Sequence, residues 1–274
     1  MRTTVNDAHR AGTMAFSNPE QTAKRIVLTV QDYSQFAWNA FLNLFRPPVY
    51  WTDFLLQADI IGVGSLPIVV LAGVSTGGVL ALQSAATMAN FGVTSVTGQF
   101  VALTIIRELG PVLTGIMVAG RNASSMASEL GSMVVTEQID AMRALGVDPT
   151  RKLVTPRIFA SIFVVMFLTI MADAAGIFGG AGVTVFMNHH NGMQYFSMAY
   201  EHLGYPDIVQ GLVKPLFFGY ILSSIGCFYG LRTTGGTEGV GRSTIQAVVV
   251  SSVLIIFVDF MLTQLLLSLF PHAL

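Results

Sequence analysis

The sequence predicts an all-α integral membrane protein: an N-terminal interfacial amphipathic helix, then five transmembrane helices, with a short cytoplasmic helix between the second and third. Three observations carry this. Only 11% of the 274 residues are charged, 53% are hydrophobic, and mean hydropathy is +0.65. A soluble domain carries about a quarter charged residues, so a chain this poor in charge has lipid as much of its solvent. Second, apolar runs of bilayer-crossing length, about 20 residues, recur five times. Third, Lys and Arg lie on one side of the resulting topology.

The first 20 residues form a polar tail. The first 25 contain no apolar core of a signal peptide, so no cleavable leader is expected here. Residues 21–54 make an amphipathic helix and an elbow. Ile26, Val30, Tyr33, Ala37, Phe41 and Leu44 recur at spacings of three and four, while Gln31, Gln35 and Asn39 fall mostly off that stripe. Arg46-Pro47-Pro48 ends it, and Tyr50, Trp51 and Phe54 follow as aromatic anchors. A helix lying in the membrane surface fits this pattern, as does one packed on a protein partner.

Residues 55–274 form the five-span domain. The spans are Ile60–Leu82, Gln99–Gly120, Ile158–Met187, Ile208–Leu231 and Ile245–Phe270. Asn90–Thr97 and Asn188–Pro206 read as loops. With the N-terminus inside, those loops and the C-terminus lie outside and hold no Lys or Arg. Twelve of the fourteen basic residues are then inside; the other two, Arg107 and Lys214, are within spans. This positive-inside pattern gives an expected cytoplasmic N-terminus and external C-terminus. The net charge of −1 gives no reason to expect nucleic acid. Cys227, the single cysteine, reads as a small buried hydrophobe.

"GGTEGVGRST", Gly235–Thr244, is one substitution from the phosphate-cradling G-x-x-x-x-G-K-[ST] pattern, with Arg242 in the lysine position. A P-loop follows a buried strand; this stretch follows a membrane span. It reads instead as the cytoplasmic connection, Gly235–Arg242, between the last two spans. The stretch is therefore not expected to bind ATP.

The largest inside segment is Arg121–Arg157. Its centre, Val135–Leu145, is helical by period: Val135, Ile139 and Met142 share one face, Glu137 and Asp140 another, and Arg143 can pair with Asp140. Gly146 and Asp148-Pro149 end it. A helix docking into a partner's groove and a solvated turn both fit these residues.

Arg107 and Glu108 stand inside the second span before Gly110-Pro111, and Lys214 stands before Pro215 in the fourth. Ionised groups in a bilayer face a cavity or a partner. They either meet a lipid phosphate or pair with each other, or with Asp173 or Asp259. Neighbouring residues point about 100° apart on a helix, so Arg107 and Glu108 cannot serve one ligand without distortion, which Pro111 can supply. Asp173 and Asp259 fit proton sites of an ion-coupled carrier or structural hydrogen bonds. The spacings Gly73-x-x-x-Gly77, Gly115-x-x-x-Ala119 and Gly176-x-x-x-Gly180 permit close helix approach. His189 and His190, with Glu201 and His202 beyond, lack the spacing of a metal shell, so no metal is expected.

"RELGPVLTGIMVAGRNASSMASELGSMVVTEQIDAMRALGVDPTRKLVTPR", "ADAAGIFGG", "GVGRSTIQAVVVSS" and "DFMLT" together resemble the MlaE/YrbE permease family, from about Phe36 to Leu267. The resemblance implies five spans after an interfacial helix, a homodimer in the bacterial inner membrane, and no catalysis or cofactor of the chain's own. It implies three partners: an ABC ATPase subunit that binds ATP, a periplasmic MCE-domain ring, and a phospholipid or related lipid as cargo. It makes Thr136–Leu145 the coupling helix, with Thr136, Glu137, Gln138, Asp140 and Arg143 meeting the ATPase. It makes Arg107, Glu108 and Lys214 the residues of the lipid cavity. Three rivals remain on residue content: an ion-coupled transporter using Glu108, Asp173 and Asp259, an intramembrane hydrolase, and a scaffold for an MCE ring.

Overall fold

The computed structural model describes residues 19–44, 50–93, 96–186, 192–201 and 203–269. The chain divides into two units, residues 1–39 and Ala40–Leu274. The described residues form helices and connecting turns, with no strand among them. In chain order these are α1 Pro19–Leu44, α2 Trp51–Asn90, α3 Thr97–Val135, α4 Gln138–Ala144, α5 Thr150–Phe186, α6 Gly192–Glu201, α7 Tyr205–Leu231 and α8 Gly236–Leu269. Five of them, α2, α3, α5, α7 and α8, are long and apolar enough to cross a membrane. Arg46-Pro47-Pro48, Asn188, His189, His190 and His202 lie outside the described residues.

The spanning helices run well past their apolar cores. At about 1.5 Å per residue, the 40 residues of α2 make a rod twice as long as the hydrocarbon layer is thick. Its first turn holds the aromatic anchors, which pack on protein: the rings of Trp51 and Phe54 lie 6.4 and 5.0 Å from that of Phe159 on α5.

α2 and α5 make the tightest seam in the bundle. A Cβ added at Gly77 would overlap the carbonyl of Gly176, and one at Gly73 would overlap the carbonyl of Ala172. The backbones thus touch along two turns, an approach that only small residues permit. Gly115 packs against Phe218 of α7, 3.1 Å from an added Cβ, and Ala119 is fully buried. All three small-residue spacings are used in packing within the chain.

Two boundaries differ from the sequence expectation. Asn188–Pro206 is not simply a loop: α6 forms within it, because Tyr195 and Ala199, four residues apart, share a buried face. Tyr195 packs among Ala81, Val101, Ile105 and Ala181. The connection between the last spans is also shorter than Gly235–Arg242. α8 begins at Gly236, so only Arg232–Gly235 link it to α7. Gly235 and Gly236 hold left-handed φ of 92° and 67°, and Thr233 donates to the Ser243 hydroxyl at 2.9 Å, closing the turn. Gly239, Gly241 and Arg242 are therefore helical residues rather than a loop wrapped on phosphate.

Candidate functional site

Pro111 has no N–H, so the Arg107 carbonyl, four residues back, loses its helical donor. α3 answers with a π-helical stretch at Ile105–Leu109, in which the Gly110 N–H donates to the Ile105 carbonyl. The carbonyls of Ile106 and Arg107 turn towards α7. Gly211 leaves room for the first: an added Cβ there would stand 2.7 Å from Ile106 O. Lys214 serves the second, its Nζ donating to Arg107 O at 2.9 Å.

The side chains of this distorted turn diverge. Arg107 runs to Asp207, its Nε donating to Oδ1 at 2.5 Å. Glu108 runs the other way, accepting from Lys214 Nζ at 2.5 Å and from the Thr263 hydroxyl of α8 at 3.3 Å. Asp259 Oδ1 lies 3.1 Å from the same Nζ. One ammonium thus ties α3, α7 and α8 together. The two neighbours do not pair with each other, and the distortion expected from Pro111 is where they sit.

Exposure separates the five charged groups. The side chains of Lys214 and Asp207 are 0% and 3% exposed, that of Asp259 17%, and those of Arg107 and Glu108 23% and 38%. Arg107 and Glu108 are the most open of the five; Lys214 is enclosed by its acceptors. Next to Glu108 in the chain, Leu109 forms one wall of an open groove of about 360 Å³ completed by Ser75, Thr76, Val79, Leu80 and Gln83 of α2. Asp173 stands apart from the network. Its Oδ1 is buried without a hydrogen-bond partner, against the backbone at Gly110.

Asp207 is not among the candidates from sequence; it falls between the Asn188–Pro206 stretch and the fourth span. Its signal is legible afterwards: Gly204-Tyr205-Pro206-Asp207 is a helix start, and Asp207 Oδ2 accepts the Gly204 N–H at 2.8 Å. One carboxylate thereby caps α7 and holds Arg107.

The segment between α3 and α5 is not one helix over Val135–Leu145. α3 ends at Val135, with the Thr136 hydroxyl on the Ser132 carbonyl at 2.9 Å. Glu137 takes a left-handed φ of 59°, alone among described non-glycine residues, and α4 starts at Gln138. Gln138 Nε2 donates to Thr136 Oγ1 at 3.0 Å, so the side chains on either side of the break are linked. Within α4 only Ile139 is buried; Glu137, Gln138, Asp140 and Arg143 point outward, the last two paired at 2.9 Å. Gly146, at φ 76°, ends the helix, its N–H on the Arg143 carbonyl.

Two contacts absent from the sequence reading brace this segment. Lys152, in a π-helical first turn of α5, reaches Asp53 at 2.5 Å and lies 4.2 Å from the centre of the Tyr50 ring. Arg157 pairs with Glu129 of α3 at 2.8 Å.

The family model described as Permease MlaE matches residues 54–265. A probable ABC transporter permease protein of Rickettsia conorii is 39% identical over 255 residues, covering 92% of this chain and 98% of that protein. The intermembrane phospholipid transport system permease protein MlaE of Haemophilus influenzae is 34% identical over 77% of this chain and 81% of its own length. The chloroplastic protein TRIGALACTOSYLDIACYLGLYCEROL 1 of Arabidopsis thaliana is 37% identical over 83% of this chain and 65% of its own. With five membrane-crossing helices and a match along most of its length, this multi-pass membrane chain belongs to the MlaE family of ABC transporter permeases.

Proposed function

We propose that this chain is the permease subunit of a transporter that moves phospholipids or related lipids between the bacterial inner membrane and a periplasmic MCE-domain partner. A separate ATPase subunit supplies the energy, and two copies of the chain enclose the lipid path. The N-terminus and α4 face the cytoplasm and the C-terminus the periplasm. The observation that supports this most is the two partly exposed charges, Arg107 and Glu108, held on a broken turn inside the bundle of a chain whose relatives include a phospholipid-transport permease. Arg107 and Glu108 meet the lipid headgroup. Lys214 keeps the turn in shape from behind.

Coupling uses Thr136, Glu137, Gln138, Asp140 and Arg143 against the ATPase. α4 follows α3 after two residues, and α3 runs without a loop to the charged turn, 28 residues or roughly 42 Å from Arg107 to Val135. A displacement of α4 is delivered through that rod. A second π-helical stretch, Ala119–Ala123, gives it a place to bend.

Reconstitution of the complex in liposomes tests this. Glu137→Lys with Asp140→Lys is expected to reduce ATP-dependent lipid transfer at least tenfold while the chain still folds and still carries lipid. Transfer at the wild-type rate would reject the coupling role. Arg107→Ala is expected to lower the lipid that copurifies with the complex, measured by mass spectrometry. Unchanged occupancy would make Arg107 purely structural.

A further inference from the structure

The five groups that meet where α3, α7 and α8 cross do not balance. Among the described residues, Arg107 and Lys214 bring two formal positive charges and Glu108, Asp207 and Asp259 three formal negative ones, a formal sum of −1. Asp173, the other acid near the broken turn, adds no cation. A headgroup that is only anionic would carry more negative charge into a region with surplus carboxylate, where the low dielectric amplifies the repulsion. A headgroup holding both a phosphate and an ammonium adds no net charge. It also finds an exposed partner for each end: the Arg107 guanidinium for phosphate, and the Glu108 carboxylate, the most open of the five, for the amine.

Gln210 adds an independent sign that a polar group enters here. It stands three residues after Asp207 and four before Lys214, on the same face of α7, and is 1% exposed. Neither its Oε1 nor its Nε2 has a hydrogen-bond partner. A buried amide with both atoms unused marks a polar stripe that accommodates a further polar group.

We infer that this site selects lipids whose headgroup joins a phosphate to an amine, and discriminates against lipids of net negative charge. The inference rests on the lipid-transport reading above and refines its substrate class.

The test is competition. The complex purified on the full-length chain is exchanged into mixed micelles with equal phosphatidylethanolamine and phosphatidylglycerol of identical acyl chains, and the retained lipid is quantified by mass spectrometry. Phosphatidylethanolamine is expected to be enriched about threefold or more, the scale of a partly exposed ion pair. Glu108→Gln and Asp259→Asn each remove one negative charge, from different helices, and both are expected to bring the ratio back towards one. A measurement on the wild type alone accompanies them: phosphatidylethanolamine should raise the melting temperature more than phosphatidylglycerol. Retention of both lipids in the bulk ratio, enrichment of phosphatidylglycerol, or a preference untouched by both variants overturns the inference and leaves the transport reading standing. Retention of neither lipid removes both.

Discussion

Lys214→Met is expected to lower the stability of the folded chain by about 3 kcal/mol or more, the scale for breaking a buried ion pair from one side. The substitution nearly preserves shape while removing the ammonium that serves Glu108, Asp259 and the Arg107 carbonyl. The Arg107 carbonyl and Glu108 then lose a donor and Asp259 loses its counter-charge, and an unmet buried acceptor costs more than its hydrogen bond contributes on average. Thermal unfolding in detergent measures it. The triple variant Lys214→Met, Glu108→Gln, Asp259→Asn should regain much of the loss, since the uncompensated charges leave with their cation. A Lys214→Met chain as stable as the wild type would mean that the ammonium does not hold this junction.

The second large effect belongs to the α2–α5 seam. Gly77→Val places a branched side chain where the Gly176 carbonyl already stands, so α2 and α5 must separate along several turns. Overpacking a well-filled core costs about 1–3 kcal/mol, and backbone-to-backbone contact leaves no flexible side chain to yield. Loss of a monodisperse, cooperatively melting protein is expected. Gly182→Ala, on the same α5 but with nothing within 4 Å of the added Cβ, is the control and should melt within a degree or two of the wild type. Equal behaviour of the two variants would contradict the seam.

The five spans were legible because a bilayer imposes a length and a composition that a linear pattern records directly. The broken turn at Arg107 was legible for the same kind of reason: proline acts on its own helix, at a known distance along the chain. What escaped the sequence is what depends on a second element. Glu137 is an ordinary helix former whose left-handed backbone follows from how α3 ends and α4 turns. α6 is only ten residues, and the face that stabilises it is read from its packing on Val101 and Ala181 rather than from its own pattern. Asp207 depends on two partners at once, the Gly204 N–H and Arg107 a hundred residues earlier, and no linear pattern joins them. Lys214 stands out in the sequence as an expensive charge, with Glu108, Asp173 and Asp259 as its candidate partners. Only the fold brings Glu108 and Asp259 to one ammonium.

That ammonium has a consequence for how the chain is made. The Arg107 carbonyl receives its hydrogen bond from a residue 107 positions later. During synthesis the second span enters the bilayer with an open backbone acceptor and two charged side chains whose partners on the fourth and fifth spans have not been translated. Hydrocarbon does not tolerate such a segment alone. The second span is therefore expected to stay shielded at the insertion machinery until the fourth arrives to complete its ladder. A chain truncated before residue 214 is expected to be cleared rather than to persist as a half-built membrane protein, which a pulse-chase of the truncated chain measures.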